Sequence, residues 1–356
     1  MIREEHGNLL RAETDALVNT VNTVGVMGKG IALQFRRAYP EMFLAYEKAA
    51  KTGGIQVGRI FVWETGALSG PRFILNFPTK RHWRSGSRLP DIEAGLEDLV
   101  EVIRKFGIES IAIPPLGCGN GGLSWQDVAP RIWDALEPLA PDVDILVYPP
   151  EGAPPAAEMI TRTPPPPMTT ARATVIKLIA EYEHAVMHAP TQVEVHKLVY
   201  FLQYAGQALR LDFVKGRYGP YADNLRKTLR EIEGHFITGF GDGSARALEA
   251  EPIRVIPDAA VRSDAVLADD PDSARRVEQV ITLAEGFGSM YGMELLASVH
   301  WAAVVGKSRD GDEIAEYVQA WTERKGVLFS DSHVEAAVKR LAEQGWLPRG
   351  FVTNRP

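Results

Sequence analysis

Leu116-Gly117-Cys118-Gly119-Asn120-Gly121-Gly122-Leu123-Ser124-Trp125 is the stretch on which the fold of this chain turns. It lies between an apolar strand carrying Ile111 and Ile113 and a helix opening at Ser124. Glycines at 117, 119, 121 and 122 let backbone N–H groups gather around an anion without interference from Cβ atoms. The helix that follows adds the positive end of its dipole at the same place. A phosphate-bearing ligand suits such a loop; a surface turn is the alternative.

A second strand–loop–helix unit occurs near the N-terminus. Ala16, Leu17 and Val18 run into the polar, glycine-broken Asn19-Thr20-Val21-Asn22-Thr23-Val24-Gly25-Val26-Met27-Gly28-Lys29-Gly30, and then into a helix carrying Ile31, Leu33, Phe35 and Ala38. Two such sites suit the two parts of a diphosphate-linked ligand. Neither loop reads GxxxxGK[ST], and Gly25, Gly28 and Gly30 are not spaced as GxGxxG. These spacings argue against a P-loop NTPase and an ordinary dinucleotide dehydrogenase.

Gly7-Asn8-Leu9-Leu10, Val18-Asn19-Thr20-Val21-Asn22, Met27-Gly28-Lys29-Gly30-Ile31-Ala32 and Pro115-Leu116-Gly117-Cys118-Gly119 occur in this order. With these motifs, residues 1–150 resemble a macrodomain, the ADP-ribose-binding fold. Within that fold family the chain is similar to the DarG family of antitoxin glycohydrolases. The resemblance implies a hydrolase that removes the ADP-ribose that a DarT toxin attaches to thymidine in single-stranded DNA. It also implies roles in DNA repair and in a toxin–antitoxin system, with ADP-ribosylated single-stranded DNA and DarT as partners. Neither a cofactor nor a metal is expected.

The 356 residues suit two domains of ordinary size. There is no long apolar run and no secretory signal, so a cytoplasmic protein without membrane attachment is expected. A single cysteine excludes an internal disulfide and a cysteine-based zinc site. The net charge of −7 argues against a global basic surface for nucleic acid. The proline-dense stretch 151–169 reads as a stiff linker. Before it, alternating strands and helices predict a three-layer α/β macrodomain over 1–150, with a mixed sheet between helices. After it, helical periodicity predicts a mainly α-helical domain over 170–356. Strands are expected near 1–6, 15–21, 59–64, 72–77, 110–114 and 143–148. Helices are expected near 29–51, 90–106 and 124–137, then near 222–234, 272–286, 289–305, 311–324 and 331–344.

Lys80 is the candidate catalytic residue. It follows the apolar strand Phe73-Ile74-Leu75-Asn76-Phe77, at the end where α/β sheets place ligands. Partial burial would lower its pKa, and a neutral amine is a nucleophile toward an anomeric carbon; a surface lysine pairing with phosphate is the alternative. Lysine-dependent glycohydrolases, to which this region is similar, carry Thr-Lys at the place of Thr79-Lys80. That resemblance implies attack by Lys80 on C1″ of the distal ribose. It also implies that Asn22 holds the distal ribose hydroxyls, with loop capping as the alternative role of that amide. The expected ADP-ribose contacts are Asn8, Leu9, Asn22, Gly28, Lys29, Gly30 and Thr79, with Leu116, Gly117, Cys118, Gly119, Asn120, Gly121, Gly122 and Leu123. Cys118 reads as a small buried thiol more than as a nucleophile.

Two positions depart from the relatives' pattern. Asn8 stands where many macrodomains have the Asp that reads adenine. Gly121 stands where the protein-directed lysine glycohydrolase has a catalytic Asp, which turns the reading away from carboxyl-linked ADP-ribose. A non-catalytic ADP-ribose reader and a deacylase of ADP-ribose esters remain the alternatives. Arg81, His82, Trp83 and Arg84 form a local basic and aromatic cluster suited to DNA. In the second domain, Val195–Tyr204 and the Tyr218-Gly219-Pro220-Tyr221-Ala222 segment resemble SocA-like antitoxin modules, which implies toxin binding. Tyr200, Phe201, Tyr204, Tyr218 and Tyr221 read as interface anchors or equally as core residues, with core the reading for Phe201. The acidic run 249–272 reads either as a solvated loop or as a surface that occupies a partner's nucleic-acid groove.

Overall fold

Strands that are apolar on both faces need helices on both sides of their sheet. The computed structural model describes residues 1–349 and 351. The first half of the chain forms β1 (Ile2–Glu4), β2 (Ala16–Asn22), α1 (Gly30–Ala38), α2 (Pro40–Lys51), β3 (Phe61–Glu64), β4 (Phe73–Lys80), α3 (Leu89–Phe106), β5 (Ser110–Ile113), α4 (Trp125–Leu136) and β6 (Asp144–Val147). The sheet runs β1-β6-β5-β2-β4-β3, parallel throughout except for β3 against β4. Period-two alternation divides its side chains between two cores. Ala16, Val18, Phe73, Leu75 and Phe77 face Ile92, Leu96 and Leu99 of α3 and Val128 and Ile132 of α4. Leu17, Val21 and Ile74 face Phe35 of α1 and Met42 and Tyr46 of α2. The result is the expected mixed sheet between two helical layers.

Two differences follow from proline and from pairing. The helix expected over 29–51 is two helices, because Pro40 starts a new one after Tyr39. Strand β4 runs past Phe77 to Lys80, since its partner β2 continues to Asn22. A bulge between Val21 and Asn22 puts Asn22 opposite Lys80.

The boundary also differs from the expected 150. One compact unit comprises Met1–Pro164 together with Gly241–Ala245; the other comprises Pro165–Phe240 and Arg246–Pro356. Residues 151–164 are therefore packed chain, not a free spacer. Ala156 is buried, Ile160 packs against the α1–α2 core, and the Arg162 N–H donates to the Arg37 carbonyl at 2.9 Å.

The second unit is mainly helical: α5 (Thr170–Val186), α6 (Gln192–Tyr204), α7 (Asp223–Ile232), α8 (Pro257–Leu267), α9 (Pro271–Ala284), α10 (Met290–Val304), α11 (Gly311–Gln319), α12 (Glu323–Leu328) and α13 (Asp331–Glu343). Two small antiparallel pairs accompany them, β7 (Val214–Gly216) with β8 (Gly219–Tyr221) and β9 (Ile237–Thr238) with β10 (Arg254–Val255). Helix α10 is buried along nearly its whole length and forms the centre of the unit. The helix expected over 311–324 is broken after Gln319, where Thr322 caps α12. The acidic run 249–272 is part helix and part loop: Asp258 and Asp264 lie in α8 and Asp272 in α9, while Glu249, Glu251, Asp269 and Asp270 lie outside the helices. Among the described residues, no helix is long and apolar enough to cross a membrane.

Candidate active site

The C-terminal ends of β2, β4 and β5 lead into the loops that carry the chemistry, as the open α/β rule requires. Lys80 ends β4 half-buried, and its Nζ donates to the Asn120 carbonyl at 2.9 Å and to the Trp83 carbonyl at 3.4 Å. Burial holds its pKa below the ordinary lysine value of 10.5. The Lys80 carbonyl accepts from the Thr23 N–H at 3.1 Å, which ties the first loop to the same strand end.

The glycine loop is folded on itself at its base and open at its tip. Cys118 N–H donates to the Pro115 carbonyl, Gly122 N–H to Gly119, and Leu123 N–H to Gly117, at 3.0 to 3.2 Å. Gly117 and Gly122 take φ of +74° and +76°, the left-handed region that favours glycine. Hydrogen bonds among the described residues use none of the Gly119, Asn120 and Gly121 N–H groups. A Cβ at Gly119 or Gly122 would meet nothing within 4 Å, so this side of the loop faces open space. Helix α4 then starts at Ser124, whose side chain makes no capping bond. The geometry is that of an anion cradle.

Gly121 is glycine for a steric reason. A Cβ there would stand 2.2 Å from the Ser87 Oγ and 2.3 Å from the Gly117 carbonyl oxygen. No carboxylate side chain fits at this position, so its absence is built into the loop. Ser87, which the sequence reading passed over, also donates its N–H to the Gly121 carbonyl at 2.9 Å. It braces the cradle from the segment between β4 and α3. Its place in a Ser-Gly-Ser run carried no signal of that role.

The first loop converges on the same spot. Gly30 takes φ of +63°, and a Cβ there would approach the Asn120 Nδ2 to 2.9 Å. Gly28 and the exposed Lys29 precede it and lead into α1. Asn22 is buried and its amide is already engaged. Its Oδ1 accepts from the Val24 and Val26 N–H groups at 3.1 and 3.3 Å, and its Nδ2 donates to the Val26 carbonyl at 2.6 Å. That amide shapes the loop; its Oδ1 is fully engaged, whereas Nδ2 uses one of its two hydrogens and keeps the second as a donor for a ribose hydroxyl.

Other expected contacts lie in different surroundings. Leu9 and Leu116 are core residues, and Thr79 is buried with its hydroxyl donating to the Val21 carbonyl at 3.4 Å. For Leu9, Leu116 and Thr79, contact with ligand falls to the backbone, because the side chains point into packing. Asn8 caps a one-turn helix by accepting from the Leu10 N–H at 3.1 Å and donates to the Glu158 carbonyl at 3.3 Å. Burial pushes the Cys118 thiol up to about 11, so it is a neutral thiol and not a nucleophile.

The basic segment divides in two. Arg81 is clamped by Asp91 through two bonds of 2.5 and 3.0 Å. Trp83, 45% exposed, stacks with His82 at a centroid separation of 5.4 Å and receives the Arg84 guanidinium 4.4 Å from its ring centroid. A ready aromatic platform thus sits one turn of chain from Lys80. In the second unit, Tyr200 is core, its hydroxyl hydrogen-bonded to the His300 Nδ1 at 2.7 Å, whereas Tyr204 is 45% exposed. Tyr221 stacks on the buried His196 at 4.9 Å. A cavity of about 660 Å³ in this unit is lined by Tyr204, Glu278, Thr282, Val304 and Trp346, and none of the chemistry-bearing residues above borders it.

The Macro domain family matches residues 18–132, the part of the chain that builds this site. A DNA ADP-ribosyl glycohydrolase of Mycobacterium tuberculosis is 46% identical over 352 residues, spanning 96% of this chain and 99% of the relative. The chain belongs to the DNA ADP-ribosyl glycohydrolase family, DarG. It is therefore a hydrolase with a macrodomain as its N-terminal part. A DNA ADP-ribosyl transferase–DNA ADP-ribosyl glycohydrolase fusion protein of Thermosipho africanus is 33% identical over 157 residues, 40% of each chain. The solved macrodomain of Mycobacterium tuberculosis DarG is 62% identical, covering 42% of this chain and 99% of that one, with a TM-score of 0.42. The open glycine cradle and the half-buried Lys80 both lie within the range matched by the Macro domain family.

Proposed function

We propose that this cytoplasmic chain is an antitoxin that removes ADP-ribose from thymidine in single-stranded DNA, using Lys80 as nucleophile. The observation that carries the reading is the placement of Lys80. Its amine is lowered by burial and lies 2.9 Å from the Asn120 carbonyl, at the open side of the glycine cradle. The cradle N–H groups hold the diphosphate, which brings C1″ of the distal ribose to the lysine. The neutral amine forms a bond to C1″ as the bond from C1″ to the base nitrogen breaks. The electron pair leaves with the base, which takes up the proton released by the lysine nitrogen on bonding to C1″. Water then replaces the lysine on C1″, its oxygen becoming the ribose hydroxyl while its other proton returns to the lysine, releasing ADP-ribose and restoring the amine.

Base and backbone are held outside the cradle. Trp83 and His82 offer a stacking surface for thymine, and Arg84 contacts the phosphates; Arg81, engaged by Asp91, serves mainly to hold this loop to α3. Gly121 supports the DNA-directed reading over deacylation of ADP-ribose esters, since no acid fits there. Purified full-length chain and its Lys80→Ala variant, incubated with thymidine-ADP-ribosylated oligonucleotide, test the reading. Release by the wild type and loss in the variant, with ADP-ribose binding retained, support it; no release by either leaves a non-catalytic reader.

The second unit, in this reading, binds and blocks the DarT toxin. Support comes from the relative in which transferase and glycohydrolase are one protein and from the exposed Tyr204 ring. The acidic run supports it less, because several of its carboxylates are engaged locally: Asp264 with Lys177 at 2.8 Å, Asp272 with Arg275 at 2.6 Å. Retention of DarT by the full-length chain, lost on Tyr204→Ala with Lys80 chemistry intact, checks this part.

A further inference from the structure

Helix α1 begins without a cap of its own. Its N-cap residue is Lys29, whose side chain makes no capping bond. The first turn is closed instead by Gly241–Ala245, the short segment that packs as part of the macrodomain unit. The Gly30 N–H donates to the Asp242 carbonyl at 3.1 Å. Gln34, one turn along α1 and 208 residues before Asp242, donates its Nε2 to the Asp242 Oδ2 at 2.6 Å. Arg37 donates to the Gly241 carbonyl at 3.0 Å. Asp242 is almost wholly buried, and its Oδ1 accepts from the Ser244 N–H at 2.9 Å. A carboxylate beside the first turn of a helix also complements the dipole.

The residue held this way is the one that touches the cradle. Gly30 turns the chain into α1 at φ +63°, and its Cα hydrogen side faces the Asn120 amide, 2.9 Å from where a Cβ would stand. The Asn120 carbonyl in turn receives the Lys80 ammonium or amine at 2.9 Å. A series of neighbours therefore runs Asp242, Gly30, Asn120, Lys80, hydrogen-bonded at its first and last steps and in close approach between Gly30 and the Asn120 side-chain amide. We propose that Asp242 is a positioning residue for the reaction: by fixing the start of α1 it holds Asn120, and through Asn120 it aims the Lys80 amine. The proposal deepens the glycohydrolase reading above and rests on it. It also makes the chain beyond Pro164 a contributor to the catalytic site, since a macrodomain cut there lacks the segment.

The test compares full-length wild type, Asp242→Ala, Asp242→Asn and Lys80→Ala on ADP-ribosylated oligonucleotide, with hydrogen exchange of residues 116–124 measured alongside. Asparagine keeps an oxygen acceptor for Gln34 or Ser244, so it is the conservative control. In Asp242→Ala, kcat falls about tenfold while KM moves less than about twofold, because misplacement acts on the reacting geometry more than on binding. Exchange in 116–124 quickens in the same variant, and Asp242→Asn restores both. Should the alanine variant prove too unstable, Gln34→Ala removes the partner instead of the acid and gives a smaller loss in the same parameter. A lowered melting temperature with unchanged kcat and unchanged exchange at 116–124 overturns the proposal. If the wild type itself releases nothing, the functional reading has failed, and the exchange result alone decides for or against the positioning role.

Discussion

Lys80 in the macrodomain unit and Lys197 in the helical unit are both pushed down by burial, and each donates to a backbone carbonyl beside a glycine turn. Lys80 meets the Asn120 carbonyl at 2.9 Å. Lys197 is fully buried, held down to about 7, and meets the Pro220 carbonyl at 2.6 Å. The glycines separate the two. Around Lys80 the loop leaves N–H groups without acceptors among the described residues and faces open space at Gly119 and Gly122. Over Lys197, Gly219 is closed: a Cβ there would stand 3.0 Å from the Ser298 Oγ and 3.2 Å from the Lys197 Cε. The same residue types therefore make an open, solvent-facing loop in one unit and a sealed packing joint in the other. A lowered lysine pKa marks a functional candidate only where substrate can reach the amine.

The sharpest way to break this comparison is to remove each lysine in turn. Lys80→Ala should lower ADP-ribose release by about 10³-fold or more, as loss of a nucleophile does, with ADP-ribose affinity held within a few-fold. Lys197→Met should leave release intact and change only the melting curve. Equal losses of activity would mean that access does not distinguish them. Next in size is Gly121→Ala, whose Cβ overlaps Ser87 and the Gly117 carbonyl. It should cost about 1–3 kcal/mol by overpacking, read as weaker ADP-ribose binding in calorimetry. Gly119→Ala, in open space, is the paired control with little steric effect.

Trp83→Ala should raise KM for the oligonucleotide by about tenfold, the loss of one base stacking contact of about 1–3 kcal/mol, while the affinity for free ADP-ribose stays put. A further effect concerns pH. A lysine whose folded pKa lies below its unfolded value favours the unfolded state while it is protonated. Stability therefore rises with pH from the folded pKa toward 10.5. For Lys197 that window opens at about 7, so the stability of wild type relative to Lys197→Met should improve between about pH 7 and pH 9. At Lys80 the same direction of shift acts on rate: kcat/KM should rise with pH until the amine is neutral, at a pKa below that of an ordinary lysine.

Much of the macrodomain unit was legible because its signals are local. Apolar strands alternating with amphipathic helices gave the mixed three-layer arrangement, and four glycines in the 117–122 loop marked the cradle. Lys80 stood out as a lysine at the end of an apolar strand. The helical unit was less legible in detail. The acidic run was open to a loop reading, yet Ile256 and Pro257 start α8 within it. Tyr200 was a candidate anchor, yet it lies in the core against His300, because a large aromatic on an apolar helix face reads the same in either role.

The alternation of strands and helices along the chain, the glycine-rich loop and a lysine at the end of an apolar strand were determined by the sequence itself, since periodicity, glycine and proline act on neighbouring residues; the strand order within the sheet and the approach of Lys80 to Asn120, 40 residues on, came only with the fold. Tertiary structure alone decided which side chains are spent on the fold. It clamped Arg81 to Asp91, sealed Lys197 beneath Gly219, and brought Asp242 to the start of α1. Each of these depends on a partner's placement in space, and for Asp242 that partner lies 208 residues away. Local pattern carries no record of such a pairing, because the contact exists only once the chain has folded.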